Sequence, residues 1–243
     1  MRQPVPEIVE TLSRLPPGSH CISLHTSPEE AADHAVDFLA GTPPGQAASY
    51  WVPDSDVAAE YNSRLEAEAP GQVGCVRALA HEQVAPHDGR LRPVPEIVDF
   101  VTGHPGGVTG GADTISRHWT RESVPDHLEY EAWFDGQPRK ASRFLCPYDL
   151  RTLPVELVPQ VLRGLGTHHS HVSLSNSTDP ALHLLQLFLF PTVHDLPPQL
   201  HATLGGALAL KHASLPGLGS ELVLTAAGET VVRNWSRDAV VDW

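Results

Sequence analysis

The chain has 243 residues, a length that fits one medium α/β domain with an appendage or two small domains. Hydrophobic residues make up 41% and charged residues 19%, a composition that excludes an intrinsically disordered protein and predicts a sizeable core. The formal net charge of −13, with no run of basic residues, argues against binding to nucleic acids or anionic membranes.

No stretch of the chain resembles a membrane-spanning or export segment. The longest apolar run, residues 181–191, is interrupted by polar residues and is too short to span a bilayer. The N-terminal MRQPVPEIVETL lacks the uninterrupted apolar stretch of a signal peptide. The three cysteines are widely separated and odd in number, as is typical of reduced thiols. We therefore expect a cytoplasmic protein that makes no membrane contact.

The predicted elements begin with a helix over residues 4–15, in an N-terminal segment 1–17. Strand-like and helical patterns then alternate. The predicted strands are His20–His25, Ala47–Val52, Val73–Leu79, Gly107–Asp113, Ser142–Tyr148 and His171–Ser175. The predicted helices are Pro28–Ala40, Ser55–Ala67, Pro95–Thr102, Val124–Phe134 and Pro154–Leu165. This alternation predicts a three-layer α/β domain over residues 18–176, with a mostly parallel sheet and helices on both faces.

The hexapeptide PVPEIV occurs twice, at Pro4–Val9 and Pro93–Val98. Proline followed by glutamate is favourable in the first turn of a helix, so both copies are predicted to begin helices. The residues around the two copies differ, which argues against a duplicated domain.

Residues 177–243 no longer show the alternation of strand and helix patterns and are predicted to form a C-terminal extension. ALHLLQLFLF and LHATLGGALALKH have helical patterns, and ELVLTAAGETVVRNW has the pattern of a β-hairpin. Nothing in these residues indicates a role for the extension.

The first strand and helix have the layout of a phosphate-binding unit without its glycines and lysine. The turn is Thr26–Glu30, in which Ser27 and Glu30 form a predicted capping box and Pro28 is the first helical residue. The protein's own side chains would therefore use the N–H groups that a phosphate needs. We expect no nucleotide binding at this turn.

Two further stretches supply candidate ligand contacts. The strand in SRFLCPYDLRTLPVELVPQVL carries Cys146, Tyr148 and Asp149 to its carboxyl end, where open α/β sheets bind ligands. The helix in DHLEYEAWF places Glu131 among aromatic residues. His25 ends the first strand and would lie at the same edge of the sheet.

Four motifs in order resemble the MEDS sensory domain, a family named for methanogen and methylotroph sensors. They are Gly18-Ser19-His20-Cys21-Ile22, Tyr130-Glu131, Cys146-Pro147-Tyr148-Asp149 and Thr167-His168, over residues 18–176. The resemblance implies a RecA-like core without a working phosphate loop. It also implies ligand contacts from His20, Glu131, Cys146, Tyr148 and His168. The chain departs from the family pattern where His169 replaces the usual proline after His168.

A metal site is one alternative. If residues 167–175 form a strand, His169 and His171 share a face and His168 points away, so at most two ligands converge there. No CxxC or HxxxH spacing supports a site that adds thiols of neighbouring strands. We expect these histidines to bind water or backbone, and we expect neither a metal nor a cofactor.

An enzyme is another alternative, with Cys146 as a nucleophile near a histidine. A thiol on an apolar strand is more often a small core residue, and the chain has no G-x-S-x-G motif. We therefore expect no catalytic residues. The sequence predicts a non-enzymatic sensory protein that binds a small organic molecule, with a simple hydrocarbon derivative as the candidate. The alternative is a scaffold or a component of a transcriptional regulator, which contacts a protein signalling partner without a small-molecule ligand.

Overall fold

The structure, a computed structural model, describes residues 5–80, 83, 94–113, 119, 123–136, 141–154, 157–176, 186 and 189, and backbone strands after residue 212. Strands β1 to β7 are Glu7–Ile8, His20–His25, Ala47–Val52, Val76–Ala78, Val108–Ala112, Arg143–Asp149 and His171–Ser173. Helices α1 to α5 are Pro28–Ala40, Ser55–Glu68, Pro95–Thr102, Val124–Asp135 and Val158–His168. Short 3-10 helices cover Leu12–Arg14 and Pro70–Gln72.

Seven parallel strands form one sheet in the order β1-β7-β2-β6-β5-β3-β4. Helices α1 and α2 cover one face, where Phe38 and Leu65 pack in a core cluster with Tyr50 of the sheet. Helices α3 and α4 cover the other face, where Ile97 and Phe134 pack on a second cluster. The predicted three-layer α/β fold with helices on both faces is therefore confirmed. Its RecA-like character stays a prediction.

The predicted N-terminal helix is wrong. Glu7–Ile8 is a strand at the edge of the sheet, parallel to β7, and only Leu12–Arg14 is helical. The backbone N–H of Glu7 donates to the carbonyl of Ser170, and that of Val9 donates to the carbonyl of Val172. Pairing with the sheet therefore decides the structure of the first PVPEIV copy. The second copy begins α3 at Pro95, as predicted.

Beyond residue 176 the structure describes few residues. Four antiparallel strands, β8 to β11, cover Ala213–Ser214, Glu221–Leu224, Thr230–Ser236 and Ala239–Asp242. The predicted helices of the C-terminal extension lie almost entirely outside the described residues, so the extension stays a prediction. Within the part of the chain that the structure describes, no helix has both the length and the apolar character needed to cross a bilayer.

Close packing at the centre of the sheet requires glycine at position 111. A Cβ atom there would lie 2.5 Å from the Tyr50 ring and 2.7 Å from the Leu145 carbonyl oxygen. At the neighbouring Gly110, the nearest atoms to a Cβ would be 3.6 Å away, on Phe144 and Ser49. The two adjacent glycines therefore differ, because only Gly111 is required by contact with the next strands.

Candidate functional site

Four potential ligand side chains converge between the sheet and helix α4. His20 begins β2, Cys146 lies in the middle of β6, Glu131 lies on α4, and His169 follows α5 directly. Because side chains alternate along a strand and Ile22 pairs with Cys146, the His20 and Cys146 side chains lie on the same face of the sheet. One atom from each of the four side chains lies within 4.8 Å of the other three.

The Glu131 carboxylate is the centre of this cluster. Its Oε2 atom lies 3.2 Å from Nε2 of His20, 3.4 Å from Nε2 of His169 and 3.4 Å from the Cys146 sulfur. The other oxygen, Oε1, accepts a hydrogen bond from the Tyr148 hydroxyl. Glu131 is only 3% exposed, so a carboxylate at this position requires these partners.

The surroundings shift the acidity of both groups in that hydrogen bond. Burial by itself would raise the pKa of Glu131, but the charges and hydrogen bonds of His169 and His20 outweigh burial and hold this pKa well below its ordinary value. Burial raises the pKa of Tyr148 well above its ordinary value, and the Glu131 charge raises it further. Glu131 is therefore ionised and Tyr148 remains a hydrogen-bond donor at neutral pH.

Both histidine rings are oriented by backbone carbonyl groups. Nδ1 of His20 lies 3.0 Å from the carbonyl oxygen of His168, and Nδ1 of His169 lies 2.8 Å from that of Leu165. The rings stack with their centroids 3.8 Å apart. Because a carbonyl oxygen only accepts, each Nδ1 carries a proton and each Nε2 faces the carboxylate of Glu131.

A narrow apolar pocket ends at this cluster. It is small, with a cavity volume of about 20 Å³. Glu131, Cys146 and Tyr148 form its polar end. Its apolar walls are Trp51, Ile97, Val101, Gly110, Gly111, Ala112, Tyr130, Phe134, Phe144, Leu145 and Pro147. An apolar pocket with a few convergent polar groups is the usual form of a small-molecule site.

Two predicted contacts, His25 and Asp149, lie elsewhere. They line a second cavity of about 920 Å³, open to solvent, together with Asp113 and Arg151. This cavity lies at the carboxyl ends of β2 and β6, on the side of the sheet that α1 covers. The predicted contact residues therefore lie in two separate sites. His20, Glu131, Cys146 and Tyr148 lie on the face of the sheet under α4. His25 and Asp149 lie in the second cavity, at the carboxyl ends of their strands.

The turn before α1 confirms Ser27 as the predicted cap, but the second bond of the predicted capping box differs, because Glu30 reaches the N–H of Thr26. Ser27 accepts a hydrogen bond from the backbone N–H of Glu30 at 3.1 Å. The Glu30 carboxylate accepts hydrogen bonds from the backbone N–H groups of Thr26 and Asn176 and from the Ser175 hydroxyl. A carboxylate of the protein therefore occupies the position that a phosphate would need, and it also connects the end of β7 to α1.

The prediction chose His168 as a ligand contact and set His169 aside. The structure places the His169 side chain in the cluster, whereas His168 contributes its backbone carbonyl. His169 follows α5 and does not share a strand face with His171, which lies near Glu7 instead. The only sequence signal for His169 was the density of histidines in THHSH. Spacing within that segment could not show that the His20 ring lies against the His169 ring.

The comparisons with known proteins give little help. No family model matches the chain, and no curated protein matches its sequence significantly. A solved structure from Pyrococcus horikoshii OT3, the subject of a structural study, is similar over 68% of this chain and 84% of its own, with 8% identity and a TM-score of 0.45.

Proposed function

We propose that the chain is a non-enzymatic sensory protein of the cytoplasm that binds a small organic molecule beside Glu131, Cys146 and Tyr148. The observation that carries this proposal is the apolar pocket that ends at this polar group. The resemblance to MEDS domains supports the same function, since His20, Glu131, Cys146 and Tyr148 are the residues that the resemblance implies as ligand contacts.

The pocket chemistry favours a small ligand that is mainly apolar. Aromatic rings of Trp51, Phe134 and Phe144 supply the walls, and the burial of an apolar ligand there contributes roughly 25 cal/mol per Å² of apolar surface. Glu131 and Cys146 offer one polar end that would fix the orientation of the ligand. Simple alcohols, amines and haloalkanes have this combination of an apolar body and one polar or polarisable end.

The signal would be a shift between two conformational populations. Helices α3 and α4 both contribute walls to the pocket, so a ligand that prefers one arrangement of these helices against the sheet stabilises that arrangement. We also expect the loops at residues 81–92 and 104–122, which are rich in glycine, proline, histidine and aspartate, to respond to the ligand. Residues 104–113 of these loops are described, and most of the others are not. A protein partner or the C-terminal extension would receive the change.

A thermal-shift panel of small alcohols, haloalkanes, amines and organic acids tests the proposal. A true ligand at 100 times its Kd should stabilise the protein by about 2.7 kcal/mol and raise Tm by about 5–10 °C. Gly110→Val should abolish this shift because its side chain enters the pocket, and Gly106→Ala is the control because nothing lies within 4 Å of its Cβ. A panel without any stabilising compound, or an equal shift in Gly110→Val, would contradict the proposal.

A cysteine-based enzyme is the second candidate, because the Cys146 sulfur lies 3.2 Å from Nε2 of His20. A histidine at this distance activates a thiol nucleophile in cysteine enzymes. Hydrolysis of generic esters by the wild-type chain, lost in Cys146→Ala and retained in Cys75→Ala, would favour this function. Without such hydrolysis the sensory proposal stands.

A further inference from the structure

We propose that His20, Glu131, Cys146 and His169 bind one divalent transition-metal ion of the zinc type. The distances among their donor atoms support this inference. Oε2 of Glu131 lies 3.2 Å and 3.4 Å from the two Nε2 atoms and 3.4 Å from the sulfur, which itself lies 3.2 Å from Nε2 of His20. Tetrahedral zinc with these ligand types has donor atoms about 3.3–3.5 Å apart. Four of the six donor–donor distances therefore match a coordination shell, and the other two are no longer than 4.8 Å.

The outer contacts of the cluster also match a metal site. Histidines that bind metals usually donate their second ring nitrogen to a carbonyl or carboxylate, which fixes the tautomer. Nδ1 of His20 contacts the His168 carbonyl and Nδ1 of His169 contacts the Leu165 carbonyl. Tyr148 holds the remaining oxygen of Glu131. Three of the four ligands, the two histidines and Glu131, are therefore oriented by contacts on the outside of the cluster.

The donor atoms of the cluster need a cation between them, either a metal ion or protons on the imidazoles. If both rings are neutral with Nδ1 protonated, each presents the lone pair of Nε2 to the Glu131 carboxylate, and acceptors at such distances repel each other. Nε2 of His169 is buried and lies 3.4 Å from Oε2 of Glu131. A metal ion would accept all of these lone pairs at once. Protons on the imidazoles are the competing occupant, and the experiment below separates the two.

The donor set selects the kind of metal. Two imidazoles, a thiolate and one carboxylate oxygen suit zinc and similar first-row ions, whereas magnesium and calcium need mostly oxygen ligands. Spacing along the sequence does not reveal this set, because each ligand comes from a different part of the fold. This inference does not depend on the proposed organic ligand.

The test uses the full tag-free chain, stripped with a chelator and titrated with Zn²⁺ and Co²⁺. We expect one ion per chain, and we expect Co²⁺ to produce a thiolate charge-transfer absorption. His169→Ala and Cys146→Ser should weaken binding more than Tyr148→Phe, an outer-shell change expected to cost about 10–100-fold in affinity. His171→Ala and Cys75→Ser are matched controls, since neither residue belongs to the cluster.

Two results would overturn the inference. The first is folded wild-type protein that takes up neither ion or shows no thiolate absorption with Co²⁺, which would leave protons as the occupant. The second is unchanged affinity in His169→Ala and Cys146→Ser. The wild-type Co²⁺ spectrum decides the matter even if a variant fails to fold. Because no organic compound is present, failure here is distinct from failure of the ligand panel, which is run on both stripped and metal-loaded protein.

Discussion

Glu131 is a buried charge whose position depends on its neighbours. Tyr148 binds one oxygen, and His20 and His169 lie beside the other. A buried charge that loses a hydrogen-bond donor pays the cost of desolvation without compensation. Tyr148 is therefore important for stability as well as for the shape of the pocket.

Tyr148→Phe should lower the free energy of unfolding by about 1–3 kcal/mol, because a carboxylate oxygen is left buried without its donor. Urea denaturation of chelator-treated protein would measure this loss. Tyr130→Phe is the matched control, since it removes a buried tyrosine hydroxyl that does not hold the Glu131 carboxylate. Equal effects of the two substitutions would show that the Tyr148–Glu131 hydrogen bond contributes nothing to stability.

At the scale of elements, Glu30 connects helix α1 to the end of strand β7. Burial by itself would raise the pKa of Glu30, but hydrogen bonds from the Asn176 and Thr26 backbones and the Ser175 hydroxyl outweigh burial and hold this pKa below its ordinary value. A lowered pKa in the folded state means that the stabilisation is complete above the unfolded pKa of about 4.3 and is lost as pH falls through the folded value.

Glu30→Gln should therefore destabilise the protein by about 1–2 kcal/mol at pH 7, because hydrogen bonds to a charged acceptor are replaced by weaker ones. The difference from wild type should shrink as the pH falls below about 4, when the wild-type carboxyl also becomes neutral. Urea denaturation from pH 7 to pH 3 would measure both effects. Glu66→Gln is the control because Glu66 is exposed on α2. A difference that stays constant with pH would contradict this account.

At the scale of the whole molecule, the turn between β2 and α1 leaves no free position for a phosphate. Glu30 uses the amides at the turn, and Arg151 is held by two hydrogen bonds to Asp149 at 3.0 and 2.7 Å. A phosphate next to Glu30 would meet a like charge that costs about 4 kcal/mol near a protein surface.

Isothermal titration calorimetry with ATP or GTP and Mg²⁺ should therefore show no binding. Glu30→Gln should not create binding, since the turn has no lysine to neutralise the phosphates. Tight, magnesium-dependent binding of either nucleotide to the wild-type chain would contradict this interpretation of the turn between β2 and α1.

The sequence by itself determined the α/β class, the positions of most elements and the cap at Ser27, because alternating patterns and capping residues act over a few neighbouring positions. It also pointed to His20, Glu131, Cys146 and Tyr148 through motifs that resemble MEDS domains, and their contact with a ligand stays a prediction. Local preference alone gave the wrong structure for Glu7–Ile8, where hydrogen bonds to β7 replace the helix that PVPEIV favours.

Only the tertiary structure decided which of these residues meet. Pairing of β2 with β6 brings His20 to Cys146, and the packing of α4 and the end of α5 adds Glu131 and His169. The alternation of side chains sends His25 and Asp149 to the opposite face, in a separate cavity. The physical reason is that the converging donor atoms come from residues up to 149 positions apart, and no spacing along the chain records which elements lie next to each other.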